Sequence, residues 1–364
     1  MQKKLEYLME HLPAGVDAGI ITSDVNRLYY TSLQSSDGLL FVTRQKSYLL
    51  IDFRYIEAAR RKVRGCEVIL LEQTGKQLSE LIKRHKVKNI AIETDYMTLS
   101  ALQKYLDMLD ADVDITVDAG FNDTIIRQRM IKDERELALI EQAQRLTDDG
   151  YDYICDFIRP GRTEREIALE LEFYMRRKGS EGVSFEFIVC SGSNSSLPHG
   201  VPGEKPVRDG DFIVMDFGGV VDGYRSDMTR TVALGCVSDE QQSVYDTVLR
   251  AQLAALEIIA PGKECRAIDK VARDIIDKAG YRGCFGHSLG HSVGIEIHES
   301  PSFGPRCATI TQAGMIMTVE PGIYLEGKFG VRIEDMVYLT KDGVRNLTHS
   351  PKNLRVLKKN SFWT

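Results

Sequence analysis

Over the first third of the chain, apolar and polar residues alternate in short blocks. The runs GLLFVT (38–43), SYLLID (47–52), CEVILL (66–71) and NIAIET (89–94) are brief, apolar and bounded by turn-forming residues, which predicts buried strands. Between them, YIEAARRKV (55–63), GKQLSELIKRH (75–85) and LSALQKYLDML (99–109) carry apolar positions three and four apart, the spacing of helices that bury one face. The reading is an α/β domain over residues 1–124. No glycine-rich loop follows any of its strands, so the pattern offers no nucleotide site there.

After AGFNDTIIRQRMI the pattern changes. A helical segment at 133–157, rich in Glu, Leu, Ala and Gln, stops before Pro160 and Gly161 and belongs to a second domain, 125–364. This domain repeats itself: PGRTEREIALELEFYMRRKG (160–179) aligns with PGKECRAIDKVARDIIDKAG (261–280). Each copy has Pro-Gly, a base, an Ile seven residues after the Pro, and a closing Gly that suits a helix end. Each is preceded by a helical segment and followed by a predicted β-hairpin, GDFIVMDFGGVVDGYRSDMTRTVAL or GMIMTVEPGIYLEGKFGVRIEDMVYL. Solenoids need at least three repeats, so two copies predict one pseudo-symmetric α+β domain with a cleft between its halves.

Composition narrows the function classes. A chain of 364 residues exceeds the usual size of a single core, in line with two domains. The net charge of −6 gives no footprint for nucleic acid, and the basic runs ARRKVR and KRHKVK read as solvated helix ends. Seven cysteines are scattered, odd in number and never spaced as CxxC, which fits reduced thiols and a cytoplasmic setting. The N-terminal charges lack the apolar run of a signal peptide, and no stretch approaches eighteen apolar residues, so no membrane association is expected.

The chemistry concentrates in the second domain. In HSLGHSVGIEIHE (287–299), His287 and His291 stand four apart, a spacing that on a helix makes a metal pair; Gly290 and Gly294 argue instead for a turn or strand with close backbone approach. In the first hairpin, Asp222-Gly223 is a turn signal between Asp216 and Asp227. With a two-residue turn, 216 faces 229 and Asp227 lies diagonal to Asp216; a register shifted by one residue on each strand places the two acids directly opposite. The second hairpin supplies Glu320 and Glu334, with Arg332 on the face of Glu334. Four acids around one cleft repel each other unless cations sit among them. Two divalent ions balance them, and His291 completes a set of five ligands. Five side chains are too few for two separate shells, so carboxylates must bridge, giving a two-metal site able to hold a shared water or hydroxide. This donor set suits manganese, with cobalt or zinc as alternatives, better than magnesium or calcium.

These blocks resemble those of the pita-bread metallopeptidases, the family of aminopeptidase P, prolidase, methionine aminopeptidase and creatinase. MDFGGVVDGYRSDMTRT, HSLGHSVGIEIHE, TVEPGIY and GVRIED match the ligand blocks in order, and SGSNSSLPHGVPG matches the block carrying a further active-site histidine, His199. The resemblance spans nearly the whole chain. Its α/β first domain is similar to that of creatinases and the proline-specific members, which most methionine aminopeptidases lack. The resemblance implies an Xaa-Pro aminopeptidase or Xaa-Pro dipeptidase acting on short peptides with proline second, and a homodimer. It also implies that Asp216 binds one metal, His291 and Glu320 the other, and that Asp227 and Glu334 bridge. Glu320 then takes the proton of the bridging water, His199 and His298 bind substrate and steady the tetrahedral intermediate, and His287 and Arg332 support. Where the family has Gly after the metal-binding His, this chain has Ser292, whose Cβ is expected to narrow the approach of backbone or substrate.

Other readings are a non-catalytic interaction module on this fold, a metal-free creatinase-type hydrolase, and an aminopeptidase without proline specificity. The first two have no use for four acids and an imidazole. His11, His85 and His349 lie outside every block and read as surface residues. Cys190 and Cys284, near the site blocks, read as inert thiols.

Overall fold

The computed structural model describes residues 2–358. The chain divides into two compact units, Met1–Arg129 and Met130–Thr364.

The first unit is built on a six-stranded mixed sheet. Its strands lie in the order Glu67–Leu70, Ser47–Ile51, Leu39–Thr43, Ala18–Ile21, Asn89–Ile92 and Asp114–Thr116. Four of these and the helices Ile56–Lys62, Thr74–His85 and Leu99–Met108 fall where the apolar pattern put them. The central strand Ala18–Ile21 is buried at every position, so it has no polar alternation by which to read it. Arg60, Arg61 and Lys62 of ARRKVR and Lys83 and Arg84 of KRHKVK occupy the last turns of two helices, where cations oppose the negative end of the helix dipole. His85 departs from expectation: it is half-buried and its Nε2 lies 2.7 Å from the hydroxyl of Tyr48.

The second unit contains two similar halves. In one, helices Glu134–Phe157 and Glu164–Arg177 pack on a sheet ordered Arg355–Leu357, Met228–Leu234, Phe212–Phe217, Ile188–Ser191. In the other, helices Asp239–Ile258 and Cys265–Ile276 pack on a sheet ordered Glu299–Phe303, Gly290–Ser292, Ile316–Val319, Asp335–Leu339, Val344–Asn346. The helices start where the sequence offers reciprocal caps: Asp133 with Glu136, Thr163 with Glu166, and Ser238 with Gln241 each satisfy two orphan N–H groups. The repeated isoleucines, Ile167 and Ile268, are both fully buried and anchor corresponding helices in the two cores.

Each hairpin is broken once, and the breaks matter for the site. In the first, Val221 pairs with Tyr224 and Asp216 with Thr229, the first of the two registers considered. The ladder is interrupted between Arg225 and Met228, which leaves Asp227 outside regular pairing. In the second, Ile316–Val319 pairs with Asp335–Leu339 and Gly322–Leu325 with Phe329–Arg332, so Glu320 and Glu334 both lie in the break. The alternation that was to align Arg332 with Glu334 therefore does not run continuously; tertiary contacts place both.

Candidate metal centre

Gly290–Ser292 is a strand, so His287 and His291 form no helical metal pair. Two glycines allow the strand and its following loop to sit where they do. A Cβ at Gly290 would lie 2.0 Å from the Thr318 carbonyl oxygen, and one at Gly294 would lie 2.5 Å from the Glu299 carboxylate. The His291 ring is then oriented by its own backbone: Nδ1 lies 3.1 Å from the Ser292 carbonyl oxygen, which can only accept, so Nδ1 carries the proton. That leaves the Nε2 lone pair facing Asp227 Oδ2 at 3.5 Å and Glu320 Oε1 at 3.4 Å.

Three acceptors thus face one another with no proton between them, Glu320 Oε1 receiving only a 3.3 Å hydrogen bond from the Thr318 hydroxyl, which is the arrangement a cation satisfies. Asp227, His291 and Glu334 offer ligand atoms that all lie within 4.8 Å of one another. Asp216 adds a buried Oδ1 with no hydrogen-bond partner among the described residues. The residues present therefore fit divalent metal on observed geometry and donor chemistry.

The electrostatics agree. Asp227 and Glu334 are pushed well above the usual carboxylate range, first by burial and then by neighbouring carboxylates, Glu334 foremost for Asp227 and Glu320 foremost for Glu334. Glu320 is raised to about 8, chiefly by burial, with Arg332 opposing and Asp216 adding to the shift. His291 falls to about 4 because burial disfavours its charge, His298 contributing next, so it is a neutral ligand at neutral pH.

Arg332 is the cation the protein itself supplies. Its Nη2 donates to Asp216 Oδ2 at 2.6 Å, its Nε to Thr229 Oγ1 at 3.0 Å and its Nη1 to the Tyr324 hydroxyl at 2.6 Å. Tyr324 in turn lies 2.9 Å from His287 Nε2, whose Nδ1 donates to the Ser288 carbonyl. Burial, then Arg332, lowers His287 to about 4, so its neutral Nε2 accepts from the tyrosine hydroxyl. The chain Asp216, Arg332, Tyr324, His287 links the two hairpins to the histidine block.

Both carboxylate pairs and His287, His291, His298 and His199 line one cleft of about 1080 Å³. His199 and His298 are open to it, and the His298 ring lies 4.4 Å from that of His291. The five candidate ligands, the four other candidate groups and the cleft thus occupy one place.

Several residues that shape this site were not singled out in the sequence. Buried Glu164 accepts from Ser191 N at 2.7 Å, Ser191 Oγ at 2.9 Å and Gly203 N at 3.2 Å, clasping both ends of the loop that carries His199. A glutamate in a first helical turn otherwise reads as a dipole partner. Thr229 Oγ1 donates to Glu334 Oε2 at 2.8 Å. Buried Arg230 pairs with Asp335 at 2.8 Å, fixing the residue next to Glu334. Burial alone would raise Asp335, yet Arg230 and then Lys352 hold it below its ordinary value.

Lys132 explains Ser292. The Ser292 side chain is buried and turned away from the cleft, where its Oγ accepts from Lys132 Nζ at 2.8 Å, so it does not narrow the approach as expected. Lys132 also pairs with Glu299 at 3.2 Å, and Glu299 Oε1 accepts from the N–H groups of Ile295 and Glu296. One buried ammonium thereby ties both ends of the loop between His291 and His298. Lys132→Met strips the buried Glu299 carboxylate of this ammonium and is expected to destabilise the protein by about 3–5 kcal/mol. Urea denaturation measures the loss, and the double variant Lys132→Met/Glu299→Gln should recover part of it; a stability unchanged in Lys132→Met would show the pair to be dispensable.

Residues 138–341 match the model of metallopeptidase family M24, and residues 3–131 that of the creatinase/prolidase N-terminal domain. The chain belongs to metallopeptidase family M24. The structure of an Xaa-Pro dipeptidase from Bacillus anthracis is similar with a TM-score of 0.93 at 37% identity, covering 98% of this chain and 99% of that one. An X-Pro aminopeptidase from Thermotoga maritima is similar with a TM-score of 0.89, also at 37% identity, over 94% of this chain and 98% of that one. The Xaa-Pro dipeptidase of Pyrococcus horikoshii is 34% identical over 97% of this chain and 99% of its own. The M24 chain is therefore a metallopeptidase with a creatinase-type first domain and a pita-bread second domain, and membership of the family implies the use of divalent metal. Among the described residues no helix is long and apolar enough to cross a membrane.

Proposed function

We propose that this M24 enzyme hydrolyses the bond between the first residue and a following proline in short peptides. The observation that carries the reading is the convergence of four carboxylates and one neutral imidazole, with lone pairs facing each other, on the wall of a single large cleft. Asp216, Asp227, His291, Glu320 and Glu334 would hold two divalent cations, Asp227 and Glu334 bridging them, with manganese favoured over cobalt or zinc. When bound, the cations supply charge balance and a water acidic enough to attack a peptide carbonyl at neutral pH.

The protein's own groups do the rest. Glu320, on the cleft wall beside His291, accepts the proton of the attacking water. His199 and His298, open on the cleft, present donors to the substrate carbonyl as negative charge develops there. Arg332 and His287 hold Asp216 and Tyr324 in place. Proline has no N–H for a general peptidase to bind, so its ring must be recognised by shape, and the apolar residues Phe185, Ile188 and Pro202 on the cleft wall suit it. Relatives whose names specify Xaa-Pro substrates support the same choice. The scattered, unpaired cysteines support a cytoplasmic setting, and family resemblance supports a homodimer, which sedimentation tests directly.

The substrate assignment is tested by kcat/KM for Ala-Pro, Ala-Pro-Ala, Ala-Ala and Met-Ala-Ala with metal-loaded enzyme. Xaa-Pro substrates should exceed their Xaa-Ala counterparts by ~10 to 200-fold. A preference for Met-Ala-Ala would refute proline specificity.

A further inference from the structure

Beside the catalytic cleft lies a second chamber of about 550 Å³. The two share a wall made of His287, Ser288 and Ser302. Unlike the cleft, the chamber is lined by no carboxylate, and it contains two arginines, Arg273 and Arg306. Arg273 is already committed: it pairs with Asp269 through Nε and Nη2 at 2.9 and 2.8 Å and donates to the carbonyls of Phe285 and His287. Arg306 is exposed and has no hydrogen-bond or ion-pair partner among the described residues. Its charge is therefore uncompensated within the chamber.

The shared wall is polar and open. Ser288 and Ser302 are partly exposed, and neither hydroxyl has a hydrogen-bond partner among the described residues. They converge over Gly304, where a Cβ would lie 2.8 Å from Ser288 Oγ and 3.2 Å from Ser302 Oγ. Donors thus lead from the cleft towards one free guanidinium. Within the cleft, by contrast, both lining arginines are engaged, Arg332 by Asp216 at 2.6 Å and Arg165 by Glu204 at 2.5 Å. The cleft itself therefore offers a substrate carboxylate no uncommitted arginine among the described residues. Each residue added after proline carries that carboxylate about 3.5 Å further along an extended chain.

From this arrangement, and resting on the Xaa-Pro reading above, we infer that the chamber receives the C-terminal carboxylate of a peptide extending past proline. Arg306 is its cation and the Ser288 and Ser302 hydroxyls line the passage. The substrate class is then Xaa-Pro-Yaa peptides in preference to Xaa-Pro dipeptides. An arginine–carboxylate contact is a charge-assisted, directional hydrogen-bond pair, strong enough to select a free acid over its amide.

The test is a cycle on the metal-loaded enzyme, with Ala-Pro, Ala-Pro-Ala, Ala-Pro-Ala-Ala and the C-terminal amide of Ala-Pro-Ala as substrates for wild type, Arg306→Gln and Arg306→Lys. In wild type, the free tripeptide should exceed its amide in kcat/KM by about tenfold or more, chiefly through KM. That ratio should fall towards one in Arg306→Gln and recover in part in Arg306→Lys. Folding is monitored separately by the melting temperature of each variant. An acid-to-amide ratio unchanged by Arg306→Gln, or equal losses on Ala-Pro and Ala-Pro-Ala, overturns the assignment of the chamber while leaving the Xaa-Pro reading intact. Failure of wild type to cleave any Xaa-Pro substrate overturns both.

Discussion

Removal of divalent cations is expected to abolish peptide hydrolysis, and Asp227→Asn to reproduce most of that loss, on the order of 10³-fold, even in excess metal. Asp227 is buried and clusters with both His291 and Glu334 within 4.8 Å, so converting it to an amide takes one charge from the ligand set. Activity and metal content, measured together on the same preparation, decide the matter: near-normal values of both in Asp227→Asn would remove it from the bridging position.

The same removal has a signature in stability. A carboxyl whose folded pKa is raised keeps its proton longer in the folded state, so its contribution is lost as pH rises through the folded value. For Glu320 the window runs from the ordinary 4.5 to about 8, and Asp227 and Glu334 shift in the same direction. His287 and His291, lowered from 6.5 to about 4, act oppositely: they cost stability as pH falls through that range. The carboxylate effect is therefore clearest between pH 6.5 and 8. There the melting temperature of the metal-free protein should fall with rising pH, and saturating Mn²⁺ should flatten the dependence. A metal-free protein that gains stability across this interval contradicts the charge account.

The second large effect separates the histidines. His291→Ala should lose metal as well as rate, because its neutral Nε2 presents a lone pair to Asp227 and Glu320 at 3.5 and 3.4 Å. His199→Ala and His298→Ala should retain metal and lose rate by ~10²-fold or more, since they present donors to substrate rather than lone pairs to a cation. Metal analysis alongside kcat distinguishes the cases. Equal metal loss in all three variants is the result that cancels the division of roles.

The sequence by itself determined the fold class, the repeat and the identities of the acids and imidazoles that meet in the cleft. It could do so because these depend on local patterns: apolar blocks with helical or extended spacing, Pro-Gly and Asp-Gly punctuation, and motif order. The repeat could be read because both copies must bury the same face, Ile167 in one core and Ile268 in the other. The turn of the first hairpin left two registers open, and the structure has the one with Val221 opposite Tyr224 and Asp216 opposite Thr229. Only the tertiary structure decided what surrounds the site. Arg332 reaches Asp216 across more than a hundred residues, Glu164 clasps the His199 loop, and Lys132 meets Ser292 and Glu299 from just before a helix distant in sequence. Such partners carry no local signal, because a buried charge is satisfied by whichever group the packed chain brings within hydrogen-bond distance. The turning of Ser292 away from the cleft and of Arg306 into its own chamber belong to the same class: side-chain direction follows from packing, which a residue's neighbours in sequence do not specify.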